Sequence, residues 1–428
     1  MMTALLFVGF LVLILLRVPI TMAIGLSVLA ALVQAGFSDT LYIMPLQILE
    51  GVNAPSLLAI PFFIMAGNLM NIVGMTDRIF NFASALVGHF RAGLAQVNVL
   101  SSMLFAGISG AAVADVAGLG MIEIKAMRER GYPVPFAAAV TAASAIVGPI
   151  IPPSISLVIY AFLSNTSVAR LFLAGVVPGA LIGISLMLFN RFLAIRHDFP
   201  REERASLQTI GRTAIDGIAA LVAPGIILAA MLTGTTTATE AGVLACAYTL
   251  LLGVLYRTLT MARLWEALTE TMTITAVIMI IIGFSHVMGW LLAIEQVPQE
   301  LAQLVLDATE SRALFLLLLI AFLLFIGCFV EGVPAKLILV PVLLPLVDQF
   351  GVDRIHFGII ITMALLIGIV TPPMGIALYI VSEVGKVKFE EVALAVVPFF
   401  IPLIIALLLV TYVPGLTLWL PELVLGPQ

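Results

Sequence analysis

Charge is what this sequence lacks most. Only 10% of its 428 residues are Asp, Glu, Lys or Arg, 24 acidic and 19 basic, while 62% are hydrophobic. A soluble domain carries about 25% charged residues. This chain has too little polar side chain to cover a water-facing surface, and it reads as an all-α polytopic membrane protein. The same shortage excludes nucleic-acid binding, which needs a basic face to displace counterions. Cysteine is nearly absent. Cys246 and Cys328 each sit inside an apolar run and cannot build a disulfide scaffold. Histidine is also sparse, and His89, His197, His286 and His356 show no metal-ligand spacing, which argues against a zinc hydrolase. No basic segment precedes the apolar run 4–16 and no small-residue cleavage site follows it. That run is expected to be a retained membrane segment, not a signal peptide.

What is present is a series of long apolar stretches. A crossing helix needs about 20 mostly apolar residues. Candidate crossings are 3–16, 19–35, 54–73, 135–162, 172–193, 214–233, 238–256, 266–292, 356–382 and 393–413. Two further stretches, 92–122 and 313–347, are interrupted at Gly107-Ile-Ser-Gly110 and at Gly327-Cys-Phe-Val-Glu331-Gly332. Each is expected to be a re-entrant helical hairpin. Irregular backbone at membrane depth is tolerated only where it is buried in protein or lines a wet cavity, so these breaks are the places to look for function.

The chain also repeats itself. At a shift of 220 residues Gly107 falls on Gly327, Gly148 on Gly368, Pro152-Pro153 on Pro372-Pro373, and Val176-Val-Pro178 on Val396-Val-Pro398. Cytoplasmic loops are enriched in Lys and Arg. Here equivalent loops differ: 123–131 carries Lys125, Arg128 and Arg130, while 343–354 carries Asp348, Asp353 and one Arg354. The 34–40 turn has no basic residue, whereas its counterpart holds Arg257 and Arg263. Corresponding loops therefore prefer opposite sides, the mark of an inverted-topology repeat. The expected organisation is a first repeat over 1–190, an Arg-rich cytoplasmic linker over 191–213 and a second repeat over 214–428. Five crossings in each half then leave both termini outside.

In inverted repeats the site lies at the bilayer midplane between interrupted helices. Helix N-termini there offer N–H groups to anions, and C-termini offer carbonyls to cations. Proline removes a donor and clashes with the preceding turn, so Gly148-Pro-Ile-Ile-Pro-Pro-Ser154 and Gly368-Ile-Val-Thr-Pro-Pro-Met-Gly375 cannot be continuous helix. Their freed carbonyls suit a small cation. Asp115 and Glu331 are carboxylates within the membrane, where each needs a partner. Sodium or a proton would serve, and each could equally cap the second helix of its hairpin. Ser109 and Thr371 add hydroxyl oxygens. Asn68 is as readily interhelical glue as ligand. Thr237 with Glu240 reads as a helix start, His286 as a core histidine, and Trp265, Trp290 and Trp419 as an interfacial belt.

The run Gly107-Ile-Ser-Gly-Ala-Ala-Val-Ala-Asp115-Val-Ala-Gly-Leu-Gly120, then Met127, Gly131-Tyr132 and Gly148 to Ser154, resembles the large membrane subunit of the tripartite ATP-independent periplasmic (TRAP) transporters. Thr239-Glu-Ala241, Pro341, Pro345, His356-Phe-Gly358 and Thr371-Pro-Pro-Met-Gly375 extend the resemblance over nearly the whole chain. It implies a bacterial inner-membrane secondary transporter, not an enzyme, that imports an organic acid with sodium as coupling ion and no other cofactor or metal. Its partners would be a small four-helix membrane subunit and a periplasmic substrate-binding protein. An elevator motion of both hairpins and both Pro-Pro breaks is implied too. Ser109, Gly110, Asp115, Gly148 and Pro152 would form one sodium site, and Gly327, Glu331, Gly368, Thr371 and Pro372 the other. Substrate would lie among Ser109, Ala111, Pro153, Ser154, Cys328, Pro373 and Gly375. The family often has a second serine where this chain has Ala111, which leaves one hydroxyl fewer at the first hairpin tip. The alternative is a stand-alone anion symporter, coupled to sodium or protons, with the same architecture. No Arg stands at either tip to clamp a carboxylate, and the substrate is not legible.

Overall fold

A computed structural model describes residues 2–16, 18–34, 36, 41–110, 112–196, 199 and 203–427. Among them every regular element is helical. Eight helices are long and apolar enough to cross a membrane, from Pro55–Ile72 and Val168–Ile195 to Phe389–Tyr412. The outside is apolar: Leu251, Leu255, Met272, Ile280, Phe325 and Ile401 are all exposed. Polar side chains such as Asn98, Ser102, Thr141, Lys336 and His356 are buried instead. That inversion is what a lipid-facing surface requires, since hydrocarbon offers nothing to a polar group.

Element boundaries recur at the 220-residue spacing. Gly93–Ser109 corresponds to Arg312–Phe329, Val134–Ala145 to the start of Arg354–Gly368, and Ile155–Ser164 to Ile376–Gly385. One pair differs. The 34-residue helix Met261–Ile294 is unbroken, while its counterpart is split into Ile43–Val52, a 3-10 turn at Pro55–Leu58, and Ala59–Ile72. Pro55 explains the split, because it cannot donate within a continuing helix. Local sequence sets many of the helix starts. Thr237 and Glu240 form a complete capping box before Ala238–Leu255, and the Asp353 carboxylate accepts from the N–H groups of Ile355 and His356 at 2.8 and 3.0 Å.

Several expectations need correction. The stretches 135–162 and 356–382 are not single crossings. Each is two short helices separated by its Pro-Pro break. Residues assigned to connecting loops form the amphipathic helices Met75–Val87 and Val297–Ala308. Both ends of the 191–213 segment are helical, because Val168–Arg196 continues through Arg191 and Ser206 caps Leu207–Leu232. Arg212 is thus helical, while His197 and Arg201 lie outside the described residues.

Packing crosses the boundary between the halves. Ile155–Ser164 of the first half lies on Gly332–Gln349 of the second. Ile376–Gly385 of the second lies on Val134–Ala145 and Leu119–Glu129 of the first. Helices 20–34, 43–52 and 59–72 pack against Met261–Ile294. The hairpins and Pro-Pro segments of both halves therefore form one intermeshed body beside that long helix.

Candidate functional site

Each hairpin tip rests on the Pro-Pro break of its own half. In the first, helix Gly93–Ser109 ends at Gly110, which is left-handed with φ 58°. A Cβ on Gly110 would stand 3.2 Å from the Ile155 nitrogen and 3.4 Å from the Pro153 carbonyl oxygen. Only glycine combines that φ with so close an approach. In the second, the Gly375 N–H donates to the Cys328 carbonyl at 3.3 Å, and Gly375 has φ 47°. Both Pro-Pro peptide bonds are cis.

The breaks are closed by their own hydroxyls. Ser154 donates to the Pro149 carbonyl at 2.5 Å and accepts from the Leu157 N–H at 3.3 Å, capping Ile155–Ser164. Thr371 Oγ1 donates to the Ile367 carbonyl at 2.7 Å. Gly327 and Gly368 form a backbone crossing. A Cβ on Gly368 would lie 2.4 Å from Gly327 Cα, and one on Gly327 would lie 2.7 Å from the Leu365 carbonyl oxygen.

The carboxylates differ in setting. Asp115 lies within the short helix Ala112–Ala117, not at its cap, and both its oxygens are buried without a hydrogen-bond partner among the described residues. Glu331 stands at the N-cap of Gly332–Gln349 but makes no side-chain cap bond. Neither carboxylate therefore caps its helix. Ala111 and the Ser109 side chain lie outside what the structure describes.

Between the tips lies a cavity of about 620 Å³. Gly110, Val113, Pro149 and Ser156 line it from the first half, Glu331, Gly332 and Leu366 from the second, and Glu270, Thr273 and Val277 from the long helix. Of the polar residues among these, sequence reasoning missed Ser156, Glu270 and Thr273; it noted Lys336 five residues after Glu331 but not its partner Ser156. Lys336 is fully buried. Its ammonium donates to Ser156 Oγ and lies 3.4 Å from the Ser156 carbonyl oxygen. Because Ser156 Oγ accepts from the ammonium, its own hydrogen is left to donate elsewhere. A positive charge so polarises a hydroxyl in the cavity wall. The signal was a lysine inside an 18-residue apolar helix, but its partner is 180 residues away.

A second cavity of about 350 Å³ is lined by Gln47, Glu50, Ser285, His286 and Trp290. His286 thus lines a cavity, which corrects its reading as a core residue. A Cβ on Gly51 would stand 2.5 Å from His286 Cβ, so helix Ile43–Val52 presses on the base of the side chain. The satisfied core histidine is His356, whose ring nitrogens meet Thr417 Oγ1 at 2.8 Å and the Thr411 carbonyl at 3.2 Å. Asn68 is interhelical glue and donates to Thr271 Oγ1 at 3.1 Å.

The family model of the tripartite ATP-independent periplasmic transporter DctM component matches residues 7–416. The chain is 45% identical over 381 residues to the sialic acid TRAP transporter large permease protein SiaM of Vibrio cholerae, covering 89% of each. It is 38% identical over 403 residues to the 2,3-diketo-L-gulonate TRAP transporter large permease protein YiaN of Escherichia coli, covering 92% of this chain and 95% of that one. Among solved structures, the YdaH transporter of Alcanivorax borkumensis superposes with a TM-score of 0.62 at 16% identity over 90% of both chains. At that identity the likeness concerns the fold alone.

Proposed function

The chain belongs to the DctM component family of the tripartite ATP-independent periplasmic transporters, and on that premise we propose that it imports an organic acid across the bacterial inner membrane with sodium. The observation that carries this reading is the cavity between the hairpin tips, whose wall includes Ser156 with Lys336 buried behind it. An anion leaving water needs an opposite charge or strong donors; here the Ser156 hydroxyl, backed by Lys336, supplies a donor, while Glu270 and Glu331 in the same wall suit an accompanying cation. Its relatives' names point to sialic acid and to 2,3-diketo-L-gulonate. Both are sugar acids, and a sugar acid fits a wall with few polar groups placed to orient it.

In this reading, carbonyls of the first break, from Gly148 to Pro152, with Gly110, Ser109 and Asp115 hold one sodium ion. Those of the second break, with Gly327, Glu331, Gly368, Thr371 and Pro372, hold the other. Substrate lies between the tips, near Ala111, Pro153, Ser154, Cys328, Pro373 and Gly375. The intermeshed body of hairpins and breaks slides as an elevator past the long helix. A periplasmic binding protein delivers the acid, a small four-helix subunit joins this chain in the membrane, and both termini face the periplasm. Each sodium ion moving inward through 100 mV contributes about 2.3 kcal/mol, so two more than offset the repulsion of a singly charged sugar acid by the negative interior.

Filling the cavity tests its role. Val277→Trp adds bulk from the long helix without touching either break. Proteoliposome uptake of the acid is expected to fall at least about tenfold with the thermal unfolding midpoint unchanged. Normal uptake by the filled cavity would place the substrate elsewhere.

A further inference from the structure

Two carboxylates with no basic partner among the described residues are buried beneath the first hairpin. Asp115 is 2% exposed and Glu123 1%. Both Asp115 oxygens and Glu123 Oε1 have no hydrogen-bond partner among the described residues. The neighbouring Lys125 gives no help, since it is exposed and turned to Glu129. A buried carboxylate without a counter-charge is strongly disfavoured.

Both side chains border one buried polar cluster. Gly118 separates the short helices that carry them, and the two carboxylates lie within electrostatic reach of each other. Gly120 packs on Thr141, since a Cβ there would be 2.8 Å from Thr141 Cγ2. Glu123, three residues on, shares that helix face. Thr141 Oγ1 accepts from Asn98 at 2.7 Å. Asn98, Ser101 and Ser102 lie on one face of Gly93–Ser109 by the same spacing. Ser102 stands beside Asp115, yet its hydroxyl donates to Ser144 at 3.2 Å. Ser101 Oγ is buried and has no partner among the described residues.

This polarity is not a general need of the fold. At the 220-residue shift Ser101 and Ser102 become Ala321 and Phe322, Asp115 and Glu123 become Ala335 and Leu343, and Thr141 becomes Ile361. Of these, Ala335, Leu343 and Ile361 are buried and apolar in the second half, while Ala321 and Phe322 face outward.

We propose that Asp115 and Glu123 together hold one hard metal cation in this pocket, with the Ser101 hydroxyl as a further oxygen ligand. Carboxylate and hydroxyl oxygens suit sodium, magnesium or calcium. Sodium cancels one of the two charges and a divalent ion cancels both. With sodium bound, this pocket replaces Ser109 and Gly110 as the partners of Asp115, because Ser101 lies about 12 Å along the same helix from Ser109 and one ion cannot reach both. With a divalent ion bound, it is a resident metal site that stands apart from transport.

The test uses the full purified chain, stripped of metal in choline chloride. Bound ions per chain are counted by equilibrium dialysis with radioactive sodium or calcium, and thermal unfolding is followed on adding either ion. For one of the two ions, Glu123→Gln is expected to bind one ion fewer per chain than the parent, at a concentration that saturates the parent. Changing outer-shell groups alone weakens metal sites roughly 10–100-fold, so losing a ligand costs at least about tenfold. Both Glu123→Gln and Glu123→Leu, the residue found at the equivalent Leu343, should melt in choline no lower than the parent, because an unpaired buried charge has been removed. They should also lack part of the ion-induced rise. Equal ion counts in parent and variants, or no response to either ion, overturns the proposal. Loss of an ion in Asp115→Asn that Glu123→Gln retains overturns the pairing and leaves Asp115 acting alone. Because uptake is not the readout, failure of sodium-coupled import does not decide the result.

Discussion

Lys336 shows how one residue can serve a function its neighbours do not announce. A lysine in an apolar helix is costly unless something answers its charge. Here Glu331, five residues before it, supplies the opposite charge, and Ser156, from the other half of the chain, accepts from the ammonium and lines the cavity. If the Lys336–Ser156 pair presents a polarised donor to a substrate carboxylate, Lys336→Met should raise the KM for uptake. A hydrogen bond to a charged group contributes about 1.5–3 kcal/mol, which corresponds to roughly 10–100-fold. Methionine fills much the same volume, and exchanging a buried charge for an apolar group is often neutral for stability, so the unfolding midpoint should hold. An unchanged KM for a folded Lys336→Met would remove Lys336 from substrate binding. The sequence showed Lys336 and the absence of arginine at the tips. It did not show which serine lay opposite, because the register between the two halves is a property of packing.

At the level of elements, glycines and prolines carry the design. The crossing of Arg312–Phe329 over Arg354–Gly368 is held at backbone contact by Gly327 and Gly368. Gly368→Ala forces the backbones apart, and overpacking of that kind costs about 1–3 kcal/mol. A lower unfolding midpoint with weakened uptake is expected, and a midpoint equal to the parent would mean that the crossing yields easily. The breaks were legible in advance, because Pro-Pro and clustered glycine forbid continuous helix by local chemistry. The helices Met75–Val87 and Val297–Ala308 were not. Their charges, Asp77 and Arg78 in one and Glu300 and Asp307 in the other, gave them the look of loops. Only their amphipathic packing shows that they are helices. Capping of the hairpin helices by Asp115 and Glu331 was also a sequence expectation. It fails because one side chain starts inside its helix and the other makes no cap bond.

At the level of the whole molecule, element boundaries recur at a 220-residue spacing, and the helix Met261–Ile294 departs from that recurrence. The unbroken Met261–Ile294 faces the body formed by both hairpins, where its split counterpart packs beside it. The buried polar cluster under the first hairpin meets apolar Ala335, Leu343 and Ile361 at the positions 220 residues on from Asp115, Glu123 and Thr141. The repeat and its breaks could be read from sequence alone. The exchange of helices between halves, and hence the cavity at the centre, could not, since it depends on contacts between residues about 200 apart.

The most direct measurement of sodium-driven import is uptake by proteoliposomes holding this chain and the small membrane subunit, with the binding protein loaded with a sugar acid outside. Accumulation should require both an inward sodium gradient and the binding protein. Uptake by this chain alone, indifferent to sodium or to the binding protein, would contradict the proposed mechanism.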